Sequence, residues 1–427
     1  MQRPLLLFVL LAVSPAWAQN VSCTSPLPVP LTLAFAELRA SQCNRDVRAA
    51  SQAVAAAAAG MQIAGQKPNP NLTFGTSNIN PSQGIGAGSL RDKTIDSSVR
   101  VDQLVERGRK AELRVEQAER LVEAARADLA DMLRQQRAAV RAAFFDVAAA
   151  QEKVQLQRAF VDYGRQSVDA SQQRLQAGEI SRNDANRFRL DAARAANDLR
   201  QAELDLNKAR VALAAAMGAE LYATSIEVKP EWPESPLAGP RDVERADIAA
   251  ARLRVAAAEA GRESAKALAT RDVTVGAQAD HWPTSETNMQ GTGISYGFTV
   301  SIPLFIRHSY QGEMAKALAD LEAARALHER VVATARAEAN AAYEEWRATR
   351  ERRERLERES APAAREVAQG AEFAYQKGAS GILDLLDARR SLKAAELDEL
   401  QARADEGKAW ARYQAAIESY EEAPRAQ

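Results

Sequence analysis

Asp384 and Asp387, three residues apart in GILDLLDA, form the acidic pair whose spacing suggests chemistry. Positions three apart share one face of a helix. Copies of the pair set about a symmetry axis would make two rings of negative charge, the arrangement with which cation-selective pores draw ions into a constriction. A plainer account also holds: acidic side chains near a helix N-terminus gain about 0.3–1 kcal/mol from the macrodipole whatever the protein does. Other site chemistries lack residues to carry them. His281, His308 and His328 show no ligand spacing with one another or with cysteine. There is no Gly-rich phosphate loop and no nucleophile elbow. We therefore expect no catalytic residue, no metal site and no cofactor, and a chain that is not an enzyme.

The elements that would position these carboxylates must be read from a chain of 427 residues, 46% hydrophobic and 26% charged, with a net charge of −1. So balanced a charge argues against a nucleic-acid partner. Residues 1–18, MQRPLLLFVLLAVSPAWA, combine Arg3, an apolar run and small residues at Ala16 and Ala18, the build of a cleavable secretory signal. The mature chain is expected to begin near Gln19. Asn20, Val21 and Ser22 lack the pattern that lipid attachment at Cys23 would need. In an oxidising compartment Cys23 and Cys43 could pair, the alternative being two unrelated thiols. Beyond the signal no apolar run approaches the roughly 18 to 20 residues of a spanning helix. Entry into a membrane would therefore require a β-barrel.

The chain is written twice, at an offset of about 200 residues. VAAAAAG from Val54 answers VAAAEAG from Val255, and Gly75 answers Gly276. Gln176, Gly178 and Asp184 answer Gln376, Gly378 and Asp384. The expected divisions are the signal (1–18), a first repeat (19–228), a Pro-rich linker KPEWPESPLAGP (229–240), a second repeat (241–421) and a tail (422–427). Asp184 has Arg187 where a second acid would stand, so it reads as a capping residue.

Each repeat begins with a short helix and then a pair of strands, expected near 71–80 and 94–105, and near 272–282 and 293–304. Leu72 and Phe74 alternate with Thr73 and Gly75. In GISYGFTVSIPLF the residues Ile294, Tyr296, Phe298, Val300 and Ile302 alternate with Ser295, Gly297, Thr299 and Ser301. About ten residues is the length of a tilted outer-membrane strand, which would turn Tyr296, Phe298, Val300 and Ile302 toward lipid. Solvent-exposed hairpins are the alternative. Four strands cannot close a barrel, and lipid tolerates no open edge. Two chains would give about eight strands and a filled interior, whereas three would give about twelve and leave a lumen. A conducting protein would therefore favour a trimer.

Long helices follow each strand pair. From about Arg109 to Gln176 no proline intervenes, and Leu133, Val140, Val147, Val154, Val161, Val168 and Leu175 recur every seven residues, a coiled-coil stripe. After the turn QAGEISRND a second helix returns through Leu190, Leu199, Leu204, Leu206 and Val211. The second repeat does the same from about Glu313 to Gln376, around KGASG and back, with Pro362 expected to break or kink it. Gly178, Gly378 and Gly381 would permit the backbone turns at the two hairpin tips, near 176–184 and 376–384. The fold class is thus mainly α with a membrane β-barrel: four strands and long coiled-coil hairpins per chain, in a two-fold internal repeat.

PNPNLTFG (68–75), VDQLVERGRK (101–110), QAGEISRND (176–184), RADIAAARLRVAAAEAG (245–261), VSIPLF (300–305) and GILDLLDA (381–388), in this order over nearly all the mature chain, resemble the TolC-like outer membrane factors. These are trimeric exit ducts of tripartite efflux and type I secretion systems. VDQLVERGRK together with SIPLFIRHSYQGE is most similar to the cobalt-zinc-cadmium branch. The resemblance implies a homotrimer with a twelve-stranded barrel in outer membrane lipid and an α-helical periplasmic tunnel of about 100 Å. It also implies a periplasmic adaptor (membrane fusion) protein, an inner-membrane resistance-nodulation-division pump and heavy-metal cations as cargo. Type I protein secretion or drug efflux is the alternative, and a non-conducting periplasmic coiled-coil scaffold is a reading from another class. By the same resemblance Asp384 and Asp387 line the periplasmic entrance and Tyr375 helps hold it shut. Ser380 stands where better-known members have a bridging Arg, so the lock must differ. Gly178, Asp184, Gly378 and Gly381 would lie at the tips that meet the adaptor.

Overall fold

The Pro-free heptad segment forms one unbroken helix in the computed structural model, α3 (Lys110–Gln176), whose 67 residues extend about 100 Å. The structure describes residues 22–79, 95–233, 239, 243–284, 289 and 293–421. The signal-like segment, the tail and part of the 229–240 linker lie outside these. Within α3 the stripe behaves as a packing seam: Val140, Val147, Val154 and Val161 are buried, and Leu133, Val168 and Leu175 are half-buried.

Two shorter helices, α1 (Leu33–Cys43) and α2 (Arg45–Ala64), precede the strands. After α3 the chain turns through Gly178, at φ +77°, into α4 (Arg182–Met217). The returning seam differs from the leucine series the sequence suggests. Phe188, Ala195, Ala202, Leu206 and Leu213 are buried, whereas Leu190, Leu204 and Val211 are exposed. Alanine at the seam lets two backbones approach closely, which a leucine row would prevent. The helix stops at Gly218, left-handed at φ +64°, where an added Cβ would lie 2.4 Å from the Cys43 carbonyl oxygen. Only glycine allows both that conformation and that approach.

The second repeat carries α5 (Ala246–Ala267), α6 (Gln311–Arg355), α7 (Ala361–Gln376) and α8 (Ile382–Ala416). The α-helix is interrupted at Pro362, as expected: α6 ends at Arg355 and Pro362 occupies the first turn of a new helix, α7, where proline is tolerated. One turn of π-helix, Leu356–Ser360, joins α6 to α7 and accommodates it.

The strands are β1 (Asn71–Ser77), β2 (Asp96–Val105), β3 (Val273–Trp282) and β4 (Gly293–Ser301). They form a single antiparallel sheet in the order β1-β2-β3-β4, the two expected pairs joined edge to edge. The β2–β3 seam joins the two repeats, from Ser97 opposite His281 to Val105 opposite Val273. β1 is shorter than the ten residues expected, because Asn78 at φ +59° turns the chain out of the ladder. β4 ends before Ile302 and Pro303, so Ile302 lies one residue beyond the strand.

The residues fall into two compact units, each drawing on both repeats. One comprises the chain up to Arg45 with Ala139–Pro233 and Arg355–Gly407. The other comprises Asp46–Ala138, Glu234–Glu354 and the remainder from Lys408, and it holds all four strands. The first is cored by Phe188, Ile382, Leu385 and Leu386. In it Cys23 and Cys43 form a disulfide, Cα atoms 5.4 Å apart. Beside them the buried Arg39 donates to the carbonyls of Cys23 at 2.7 Å and Ser25 at 3.0 Å. The second is cored by alanines of α3 and α5 with Leu253 and by Trp346 stacked on Tyr413.

Candidate functional site

Cross-strand register gives the sheet two different faces. Phe74, Val99, Ala279 and Tyr296 form one row and Leu72, Val101, Ala277 and Phe298 the next, all on one side. On the other side the rows read Thr73, Arg100, Gln278, Gly297 and Gly75, Ser98, Asp280, Ser295. The apolar face is uncovered in the single chain, with Phe298 87% and Tyr296 76% exposed. Val300 and Ile302 are exposed as well. A contiguous apolar face of this size calls for lipid or a partner. No helix among the described residues is long and apolar enough to cross a membrane.

The polar face has its own internal order. Arg100 lies flat along the sheet, donating through Nε and Nη2 to Asp102 Oδ1 at 2.9 and 2.8 Å and through Nη2 to Thr299 Oγ1 at 3.1 Å. Gly276 sits between Asp102 and Thr299 in the register, and any Cβ there would fall 2.3 Å from Asp102 Oδ1. Glycine leaves the notch that the bridge crosses.

At the hairpin tips the acidic residues separate into two kinds. Asp184 is in the first turn of α4, its N–H donating to the Ser181 hydroxyl oxygen at 3.1 Å while that hydroxyl donates back to Asp184 Oδ2 at 2.8 Å. Asp384 does comparable work in α8, its Oδ2 accepting the Gly381 N–H at 3.3 Å. Asp387 lies beyond the first turn, its side chain is 71% exposed, and among the described residues it meets a loose Arg390 contact at 3.4 Å. The helix-terminus account therefore covers Asp384 and leaves Asp387 without a local reason. Both carboxylates lie opposite the buried Ile382, Leu385 and Leu386.

Tyr375 packs edge-on against Phe188, ring centres 6.2 Å apart, beneath the Arg174 guanidinium at 5.1 Å. The Ser380 hydroxyl is buried with no hydrogen-bond partner among the described residues. Gly178 and Gly378 need glycine for their backbones, at φ +77° and +70°. Gly381 is not in the left-handed region, so the turn does not require it.

Sequence reading missed one cluster. Arg389 donates to Tyr163 and Glu372 and, at 3.1 Å, to the Ser167 hydroxyl; Tyr163 also donates to Glu372. Burial pushes the Arg389 guanidinium down to about 10, still charged at neutral pH and faced by the Glu372 carboxylate. Tyr163 and Arg389 are 226 residues apart, a separation at which no local pattern flags the pairing. Among the described residues no group of His, Cys, Asp and Glu could hold a metal ion.

Solved structures share this fold. The outer-membrane channel OprN aligns at a TM-score of 0.75 with 22% identity, over 90% of this chain and 89% of that one. CusC aligns at 0.73 and 17%, covering 92% of this chain and 94% of its own. VceC of Vibrio cholerae aligns at 0.72 and 20%, covering 90% and 95%. Among curated protein sequences none matches. The pattern of the outer membrane efflux protein family matches residues 39–219 and 242–419, most of each repeat, and the chain, an outer membrane efflux channel with a large periplasmic helical part, belongs to that family.

Proposed function

We propose that three copies of the chain close a twelve-stranded barrel and act as the passive exit duct of a tripartite efflux system. A periplasmic adaptor and an inner-membrane resistance-nodulation-division pump would supply opening and energy. The observation that carries this reading is the two-faced sheet. Its apolar side suits hydrocarbon, its Arg100, Asp102 and Asp280 side suits water, and β1 and β4 are free edges within the chain. Hydrocarbon forbids unpaired edges, so each must meet a sister strand.

In this reading Asp384 and Asp387 ring the periplasmic entrance, with Tyr375 and Phe188 packing beside them, and Gly178, Asp184, Gly378 and Gly381 lie at the tips that meet the adaptor. An acidic entrance favours cations, which supports heavy-metal ions as cargo; cationic drugs satisfy the same chemistry. Nothing in the wall need hold the ion, since a duct has only to let it pass.

The test is to isolate the protein from outer-membrane fractions and record its migration and conductance. The reading expects a trimer that falls to monomer on heating and ion conductance in planar bilayers. A soluble, non-conducting monomer would remove it.

A further inference from the structure

The unit built from both hairpins carries a half-open cavity of about 920 Å³ between α3, α4, α7 and α8, within the range of small-molecule sites. Its body is apolar and aromatic, formed by Phe160, Tyr163, Phe188, Phe373 and Leu392. Ionic groups also line it, and their pairing decides what it could hold. Lys393 binds Asp198 at 2.6 Å, Arg365 meets Glu396 at 3.5 Å, Arg390 meets Asp191 at 3.7 Å, and Arg389 is bound to Glu372. Every lining carboxylate is thereby committed to a lining cation. Arg194 remains, a solvent-exposed guanidinium at the cavity lining with no carboxylate partner among the described residues.

An apolar cavity with one uncompensated positive charge complements an apolar body with one negative charge. We propose that this cavity binds a soluble organic anion, an aromatic or long-chain carboxylate or sulfonate, with its head on Arg194 and its body along Phe160 and Phe373. The guanidinium fork pairs with either head group in two parallel hydrogen bonds. Phe160 lies under the Lys393 ammonium at 5.4 Å and Phe373 under Lys377 at 5.6 Å, and both side chains line the cavity. The source is the surrounding aqueous phase and not bilayer lipid, because the strands all belong to the other unit. The site is distinct from the entrance carboxylates and asks nothing of conduction.

The test is calorimetric titration of the full-length assembled protein, held in an amphipathic polymer so that no micelle competes. The probes are anilinonaphthalene sulfonate and a naphthyl quaternary ammonium of similar size. The proposal expects saturable binding of the sulfonate, one per chain, and about tenfold weaker binding of the ammonium. Arg194→Glu should weaken the sulfonate about tenfold or more with the melting temperature unchanged. Ala159→Trp, which fills the apolar half, should abolish binding of both probes in a protein that still melts cooperatively. Equal affinity for the two probes, or an unaffected Arg194→Glu, would overturn the proposal. So would absence of saturable binding to the wild-type assembly, the result expected if a neighbouring copy fills the cavity.

Discussion

The Arg389 guanidinium lies over the ring of Tyr163, 4.0 Å from its centre, and so ties α8 to α3 through a side-chain cluster that also holds Ser167 and Glu372. Both members of the ion pair are largely withdrawn from water, with Arg389 16% and Glu372 31% exposed. A pair of this kind is worth little against an apolar replacement, but half of it is costly. Arg389→Met should therefore lower stability by about 1–3 kcal/mol, whereas Arg389→Met with Glu372→Met should recover most of that loss. Thermal unfolding of the assembled protein reads both. Equal losses in the single and double variants would mean the two charges are not coupled.

Gly276 tests the sheet. Gly276→Val would drive side-chain atoms into Asp102 and Thr299, whose Oδ1 and Oγ1 lie 2.3 and 2.5 Å from the added Cβ. The Arg100 bridge should fail, with loss of heat-modifiable trimer from the outer membrane. Gly60 in α2 is the control, since nothing lies within 4 Å of its added Cβ. Gly60→Ala should be neutral or stabilise by up to about 1 kcal/mol. A trimer yield unaffected by Gly276→Val would show that the notch is dispensable.

Cys23 and Cys43 close a loop across 20 positions. Constraint of the unfolded chain by a loop of that size is worth about 3 kcal/mol. The Cys23→Ser/Cys43→Ser variant should lose about that much stability and unfold at a lower temperature, and reductant should shift the wild type but not the variant. Because the Cys23 sulfur is in the disulfide, mass spectrometry of the mature wild-type chain should find no acyl group on it.

Asp384 and Asp387 should respond differently to the same change. Asp384→Asn weakens a first-turn carboxylate and should cost about 0.3–1 kcal/mol. Asp387→Asn touches no cap and should leave the melting temperature alone, yet weaken block of the channel by multivalent cations. Conductance and thermal melts of the two variants separate the roles. If Asp387→Asn changes neither, the residue is not part of the entrance.

What the sequence disclosed was governed by distance along the chain. The Val140 to Val161 stripe, the turn at Gly178 and the two-faced strand around Phe298 are local periodicities, and each is present in the fold. The register of the β2–β3 seam was hidden because it pairs residues of different repeats, such as Val101 with Ala277. The choice of alanine over leucine in the α4 seam was hidden for a related reason: hydrophobicity alone points to Leu190 and Leu204, while close backbone approach selects Ala195 and Ala202. The interruption at Pro362 was legible, but its form was not: one π-turn places the proline in the first turn of α7. The spacing of Asp384 and Asp387 on one helix face was legible, but the pairing of Arg389 with Tyr163 was not, since neither repeats at a helical period with its partner.

The acid limb of stability offers a separate check inside the first hairpin. Asp205 on α4 accepts from Lys153 on α3 at 3.0 Å and from Gln201 at 2.9 Å. The Lys153 hydrogen bond, only partly opposed by burial, holds the Asp205 carboxyl below its usual 3.8. A carboxylate whose folded value is depressed contributes stability that is fully present above the unfolded value and disappears as pH falls through the folded one. Both side chains are about a third exposed, so solvent keeps the contribution small. Asp205→Asn should therefore be less stable than the wild type by a constant amount at neutral pH. That gap should begin to close once the pH drops below about 4, as the wild-type carboxyl takes up its proton and Lys153 loses its charged partner. Denaturant midpoints measured against pH for the two proteins give the curve. A gap that stays constant down to about pH 2 would show that the pair adds nothing to holding α3 against α4.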